Sequence, residues 1–154
     1  MFHKKCDYEQ RKVPPTMHQA ADKYFFLKDV DHRMTIVIEP VMKEISKELQ
    51  SRGHGSAIIK EYQTISDTGN LRHRHISLII ITDNKRPAYN SKYSAIAFVA
   101  NSNKKTVWVR EKTIGSEGQR ERNTGEYQVG EITRQLVEKH IRNFLLEALE
   151  NTGS

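Results

Sequence analysis

The stretch YSAIAFVANSNKKTVWVREKTI, residues 93–114, decides the fold. It holds two runs rich in β-branched and aromatic residues, Tyr93–Ala100 and Thr106–Ile114, which read as strands. Between them, Asn101-Ser102-Asn103-Lys104 supplies tight-turn chemistry, so the runs pair as an antiparallel hairpin. Two earlier runs, Ser56–Ser66 and Leu71–Thr82, have the same character, with Asp67-Thr68-Gly69-Asn70 as their turn. The link from Asp83 to Lys92 is longer and contains Pro87.

Helical patterns flank these strands. Met34, Val37, Ile38, Val41, Met42, Ile45 and Leu49 recur at the spacing of one buried helix face. Asp29 and Asp31 offer N-cap oxygens before that stripe, and Gly53 and Gly55 close it. Pro40 interrupts it: either the helix kinks there, or residues 34–38 are extended and Pro40 occupies the first helical turn, where a missing N–H costs nothing. Near the carboxyl end, Ile132, Leu136, Val137, His140, Ile141, Phe144, Leu145, Ala148 and Leu149 share one face, and Asn151-Thr152-Gly153 stops the helix. Upstream, Thr16–Leu27 reads as a short helix or, around Tyr24-Phe25-Phe26-Leu27, as a short strand whose aromatic rings enter the core. Residues 115–125 are wholly polar and predict an exposed, mobile loop.

That order predicts the α+β class: a two-layer domain with an antiparallel sheet of four or five strands and two main helices packed on one face. We expect residues 1–28 to form a partly mobile amino-terminal arm, 29–150 a single domain and 151–154 a disordered tail. Leu71–Thr82 and Thr106–Ile114 carry apolar side chains on both parities. A sheet with one solvated face alternates more cleanly, so part of the second face should be covered by the arm, the Tyr24–Leu27 segment or a second copy of the chain.

Composition narrows the function classes. Cys6 is the lone cysteine, which excludes an internal disulfide and a cysteine-based zinc cage. No apolar run reaches membrane-spanning length and the first residues lack a signal-peptide core, so an intracellular, cytoplasmic protein without a membrane partner is expected. The net charge of +6 is uneven: +3 in residues 1–28, −1 in 29–52, +5 in 53–128 and −1 in 129–154. Cationic side chains therefore belong to the strands and loops, and the two helices lean acidic. Such a distribution attracts polyanions.

The most conspicuous local pattern is Arg72-His73-Arg74-His75. On a strand the two histidines share one face and the two arginines the other. His73 and His75 could ligate one metal ion if His54, Glu61 or another group supplied a third ligand. Arg72 and Arg74 suit phosphate or carboxylate. Asp83-Asn84-Lys85 has the acid–x–lysine form of metal-dependent nucleases, with Asp67 as the required partner. A continuous strand between them would hold Asp67 and Asp83 about 50 Å apart, which argues against a shared metal. There is no nucleophile elbow, no placed Cys/His pair and no phosphate loop, and His140 reads as a core histidine.

The expectation that rests on most residues is a non-enzymatic module that binds nucleic acid. Its contact candidates are Arg72, Arg74, Lys85, Arg86, Lys104, Lys105, Arg110, Lys112, Arg120 and Arg122, with Tyr62, Tyr89, Tyr93, Trp108 and Tyr127 interleaved as stacking surfaces. The alternatives are a homodimerising or small-ligand-binding domain that uses the second sheet face, and a nuclease-like metal-dependent enzyme. No cofactor is expected.

Overall fold

A computed structural model describes residues 14–61, 64–65, 71–72, 74–81, 93–115 and 118–150. The chain opens with helix α1, Pro14–Arg33, runs through a π-helical segment, Met34–Ile38, and continues directly into α2, Glu39–Ser51. The helix therefore begins well before Asp29 and Asp31, which lie inside α1 and cap nothing. Thr16–Leu27 is helical rather than extended. Successive helical residues point about 100° apart, so only part of the aromatic cluster reaches the interior. Phe26 is buried and Leu27 packs against the core, whereas Tyr24 and Phe25 stay exposed.

Pro40 explains the π segment. It has no N–H to offer the turn behind it, and its ring crowds the carbonyl four residues back. The backbone widens just before it: the Glu39 N–H reaches Met34 O, five residues back, and Pro40 sits in the first turn of α2. The first-turn placement of Pro40 is seen, but residues 34–38 before it are helical rather than extended. At the far end of α2, Gly53 adopts φ +85°, the left-handed conformation that ends the helix.

Five strands follow as a meander. They are β1 (Gly55–Glu61), β4 (His75–Ile81), β5 (Ser94–Asn101), β6 (Thr106–Gly115) and β7 (Gly118–Tyr127), hydrogen-bonded in the order β1-β4-β5-β6-β7 with every pair antiparallel. A separate two-stranded ribbon joins β2 (Thr64–Ile65) to β3 (Leu71–Arg72). Two expectations are corrected here. Leu71–Thr82 is not one strand: its first two residues pair with β2, and the main sheet takes the chain only from His75. Residues 118–125, read as loop, belong to β7. An edge strand needs backbone partners from one neighbour only, and charged side chains protect its open edge, so a wholly polar sequence can fill the role. Its pairing with β6 shifts register between Val109 and Arg110, leaving Thr124 as the extra residue of a bulge.

A 3-10 turn, Val129–Glu131, leads to the last helix, α3 (Arg134–Glu150). The turn is closed by a reciprocal box in which the Gln128 N–H donates to Glu131 Oε1 at 2.8 Å. Thr133 Oγ1 accepts the Leu136 N–H at 3.2 Å and starts α3. Inward-facing Ile76, Leu78 and Ile80 of β4, Ile96 and Phe98 of β5, and Val107 and Val109 of β6 meet Met34, Ile38, Met42 and Ile45 from the first helices. Val137, Ile141, Phe144 and Ala148 of α3 complete the same core. The architecture is thus an antiparallel five-stranded sheet with its helices on one face, and no helix among the described residues is long and apolar enough to cross a membrane.

Phe144→Ala should destabilise the domain by about 3–5 kcal/mol in urea unfolding, because it removes a fully buried ring. Leu146→Ala, two residues on but 69% exposed, should change stability by less than about 0.5 kcal/mol. Equal losses would contradict this packing.

Candidate nucleic-acid interface

The second face of the sheet carries no helix among the described residues. Side chains there follow from the register, because directly paired residues share a face. Reading from β1 to β7, one row is Glu61, His75, Val99, Trp108 and Glu126. The next is Ile59, Ser77, Ala97, Arg110 and Asn123, and a third is Ala57, Ile79, Ala95, Lys112 and Glu121. Read along the strands, the same grid forms columns. Beta-7 presents acids, β6 an aromatic ring and two cations, and β5 small apolar groups.

The small residues have a geometric consequence. Ala95, Ala97 and Ser77 leave a depression of about 560 Å³ between taller neighbours, walled by His75, Glu61, Val99, Arg110, Lys112 and Glu121. Lys104, in the turn before β6, holds its ammonium 6.0 Å from the centre of the Trp108 ring. Asn101 Oδ1 fixes that turn by accepting the N–H groups of Asn103 and Lys104 at 3.1 and 3.2 Å. Beside it, the Thr106 hydroxyl donates to Glu126 at 2.6 Å and holds that carboxyl below the usual carboxylate range.

The candidate cations fall into three groups. Lys104, Arg110 and Lys112 belong to this face or its rim. Arg74, Lys105, Arg120 and Arg122 are engaged by acids. Arg74 Nη1 lies 3.1 Å from Asp31 and donates to Leu27 O at 2.9 Å, tying the start of β4 to α1. Lys105 meets Asp22 at 3.2 Å. Arg120 and Arg122 reach across to Glu147 of α3, and Arg122 also meets Glu111 at 3.2 Å. Both arginines therefore clamp the sheet edge to the helix layer, on the opposite side from Arg110 and Lys112. The third group is not described by its side chains: Arg72 stands in β3 opposite Thr64, while Lys85 and Arg86 lie outside the described residues.

The helix layer, expected to be acidic, is a lattice of pairs: Arg134 with Glu44, and Arg142 with Glu48 at 3.0 Å and Glu138 at 3.1 Å. Charge is thus more evenly interleaved than the segment totals imply. Of the expected metal pair, His75 sits at the end of the open face opposite Glu61, and His73 lies outside the described residues, as do Asp67 and Asp83. Among the described residues, no group of three His, Cys, Asp or Glu side chains is placed to hold a metal ion. Tyr93 borders the sheet at the start of β5, Tyr127 faces the helices, and Tyr62 and Tyr89 lie outside the described residues.

Sequence reasoning missed the floor of the depression. Its signal was present in β5, where large Ile96 and Phe98 alternate with small Ala95 and Ala97.

His140, read as a core histidine, has a defined partner. Its Nε2 lies 2.7 Å from the Tyr127 hydroxyl, and the two rings meet edge to face. A Cβ at Gly125 would stand 2.6 Å from the Tyr127 ring, so only glycine lets the ring lie there. Partial burial lowers the pKa of His140 and Lys139 adds to that, while the Glu111 carboxylate pulls the other way.

In comparisons with known proteins, no family model matches the chain, and neither does any curated protein or solved structure.

Because His140 is harder to protonate folded than unfolded, the unfolded chain takes up the proton first, and stability should fall as pH drops below about 6.5. Urea titrations of the parent and His140→Gln between about pH 7 and pH 5 check this, and the variant should show the shallower decline. Identical pH slopes would contradict it.

Proposed function

We propose that the protein is a non-enzymatic binding module whose working surface is the sheet face that no described helix covers, with nucleic acid as its partner. The observation that carries this reading is the column on β6: Trp108, Arg110 and Lys112 at alternate positions, with Lys104 beside the ring. An aromatic face stacks on bases and neighbouring cations meet phosphates, which together give sequence-tolerant binding. The net charge of +6 favours encounter with a polyanion. Arg74, Lys105, Arg120 and Arg122 drop out of the contact set on this reading, since each already answers a carboxylate. A single cysteine suits the reducing, cytoplasmic setting we assign to it.

A second reading draws on the depression over Ser77, Ala95 and Ala97. Its volume suits a small amphipathic ligand, and its apolar floor suits the same face of a second copy. A tight dimer by light scattering that ignores nucleic acid would favour this reading over the first.

Trp108 is the sole tryptophan, so its fluorescence reports on this face alone. Titration with a mixed-sequence nucleic acid at low salt should quench it. Three phosphate contacts predict that log K falls with log salt at a slope of roughly −2 to −3, and Arg110→Ala should reduce the slope by about one. Arg134→Ala, on the helix layer, should leave binding unchanged. A salt-independent affinity, or no quenching at low salt, would overturn the proposal.

A further inference from the structure

We infer that the partner of this face is a single strand, with its sugar-phosphate backbone along β6 and its bases turned toward β5 and β4. The inference rests on the nucleic-acid reading above and concerns how the strand lies.

Charge complementarity sets one boundary. Glu121 stands directly opposite Lys112 and Glu126 directly opposite Trp108, so β7 forms an acidic border beside the cations. The Thr106 hydroxyl donates to Glu126 and, with Trp108, lowers its pKa. Phosphates are drawn to Arg110 and Lys112 and repelled one strand further out. The backbone is confined to a track about one strand wide, near 4.8 Å.

Side-chain size sets the other boundary. On the side of β6 away from the acids, Arg110 faces Ala97 and Lys112 faces Ala95, and Ser77 lies beyond Ala97. This is the depression, where among the described residues the cations have low neighbours on their own row. Bases attached to a backbone on β6 have room there, over an apolar floor that favours their flat faces. Trp108, at the end of the column, offers a ring to the next base. Ser77 adds a polar group within the depression for base edges.

A duplex fits neither boundary. Its bases are paired inward and cannot enter the depression, and its second strand would bring phosphates over Glu121 and Glu126. The major groove of B-DNA, about 12 Å wide, admits a helix or a two-stranded ribbon, not a five-stranded face.

The test compares a ten-nucleotide oligothymidylate, the corresponding oligouridylate and a duplex of the same length, each titrated at low salt and followed by Trp108 fluorescence and by anisotropy of an end label. Both single strands are expected to bind at least ten-fold more tightly than the duplex, and only they should quench Trp108. Ala97→Phe, which fills the depression and leaves every cation in place, is expected to weaken single-strand binding at least ten-fold. Retention of the far-ultraviolet circular dichroism shows that the variant has folded, and Ala97→Ser serves as the conservative control that keeps binding. If duplex and single strand bind equally with a salt slope, the single-strand inference fails and the nucleic-acid reading stands. If no nucleic acid binds at low salt, both fail.

Discussion

The structure depends on the strict division of β5 into two kinds of side chain. This central strand sends Ile96, Phe98 and Ala100 into the core and Ala95, Ala97 and Val99 to the other side, burying the first set almost completely. Period-two alternation makes the two demands inseparable, because a slip of one residue would put Phe98 in the depression and alanine in the core. The helices can dock only because Ile96 and Phe98 in the inner set are large. The outer face is indented only because the other set is small.

The ion pairs answer to the same division. On the helix side, Glu111 is only 4% exposed at its side chain and is met by Arg122, which in turn holds Glu147 of α3. A buried carboxylate without a partner would be costly, so this arginine is bound to the architecture and unavailable to a ligand. One position earlier on β6 the chain turns the other way, and Arg110 is left on the face opposite the helices. Identical residue types thus have different roles according to parity. The bulge at Thr124 matters here because it puts Arg122 opposite Glu111 and Asn123 opposite Arg110.

Much of the fold was legible in the sequence because burial imposes periodicity. The α3 stripe from Ile132 to Leu149 is seen nearly as read, and β5, β6 and their turn lie within a residue or two of their expected bounds. The errors have physical causes. Asp29 and Asp31 resembled caps, but the helix runs past them because Phe26 and Val30 already continue its buried face. Strand β7 lacks any apolar pattern, since an edge strand draws its stability from the β6 backbone. Less of the site was legible. Composition locates cations along the chain and says nothing of which carboxylate lies across from each, and Glu147 answers two of them from a helix. The floor of the depression consists of residues notable only for their smallness.

The central claim is that the sheet face opposite the helices is where the partner sits, and amide chemical-shift mapping during titration with oligothymidylate tests it most directly. The account predicts that the largest shifts fall on Ser77, Ala95, Ala97, Trp108, Arg110 and Lys112, with α2 and α3 unmoved. Shifts centred on the helices, or spread over both layers alike, would contradict it.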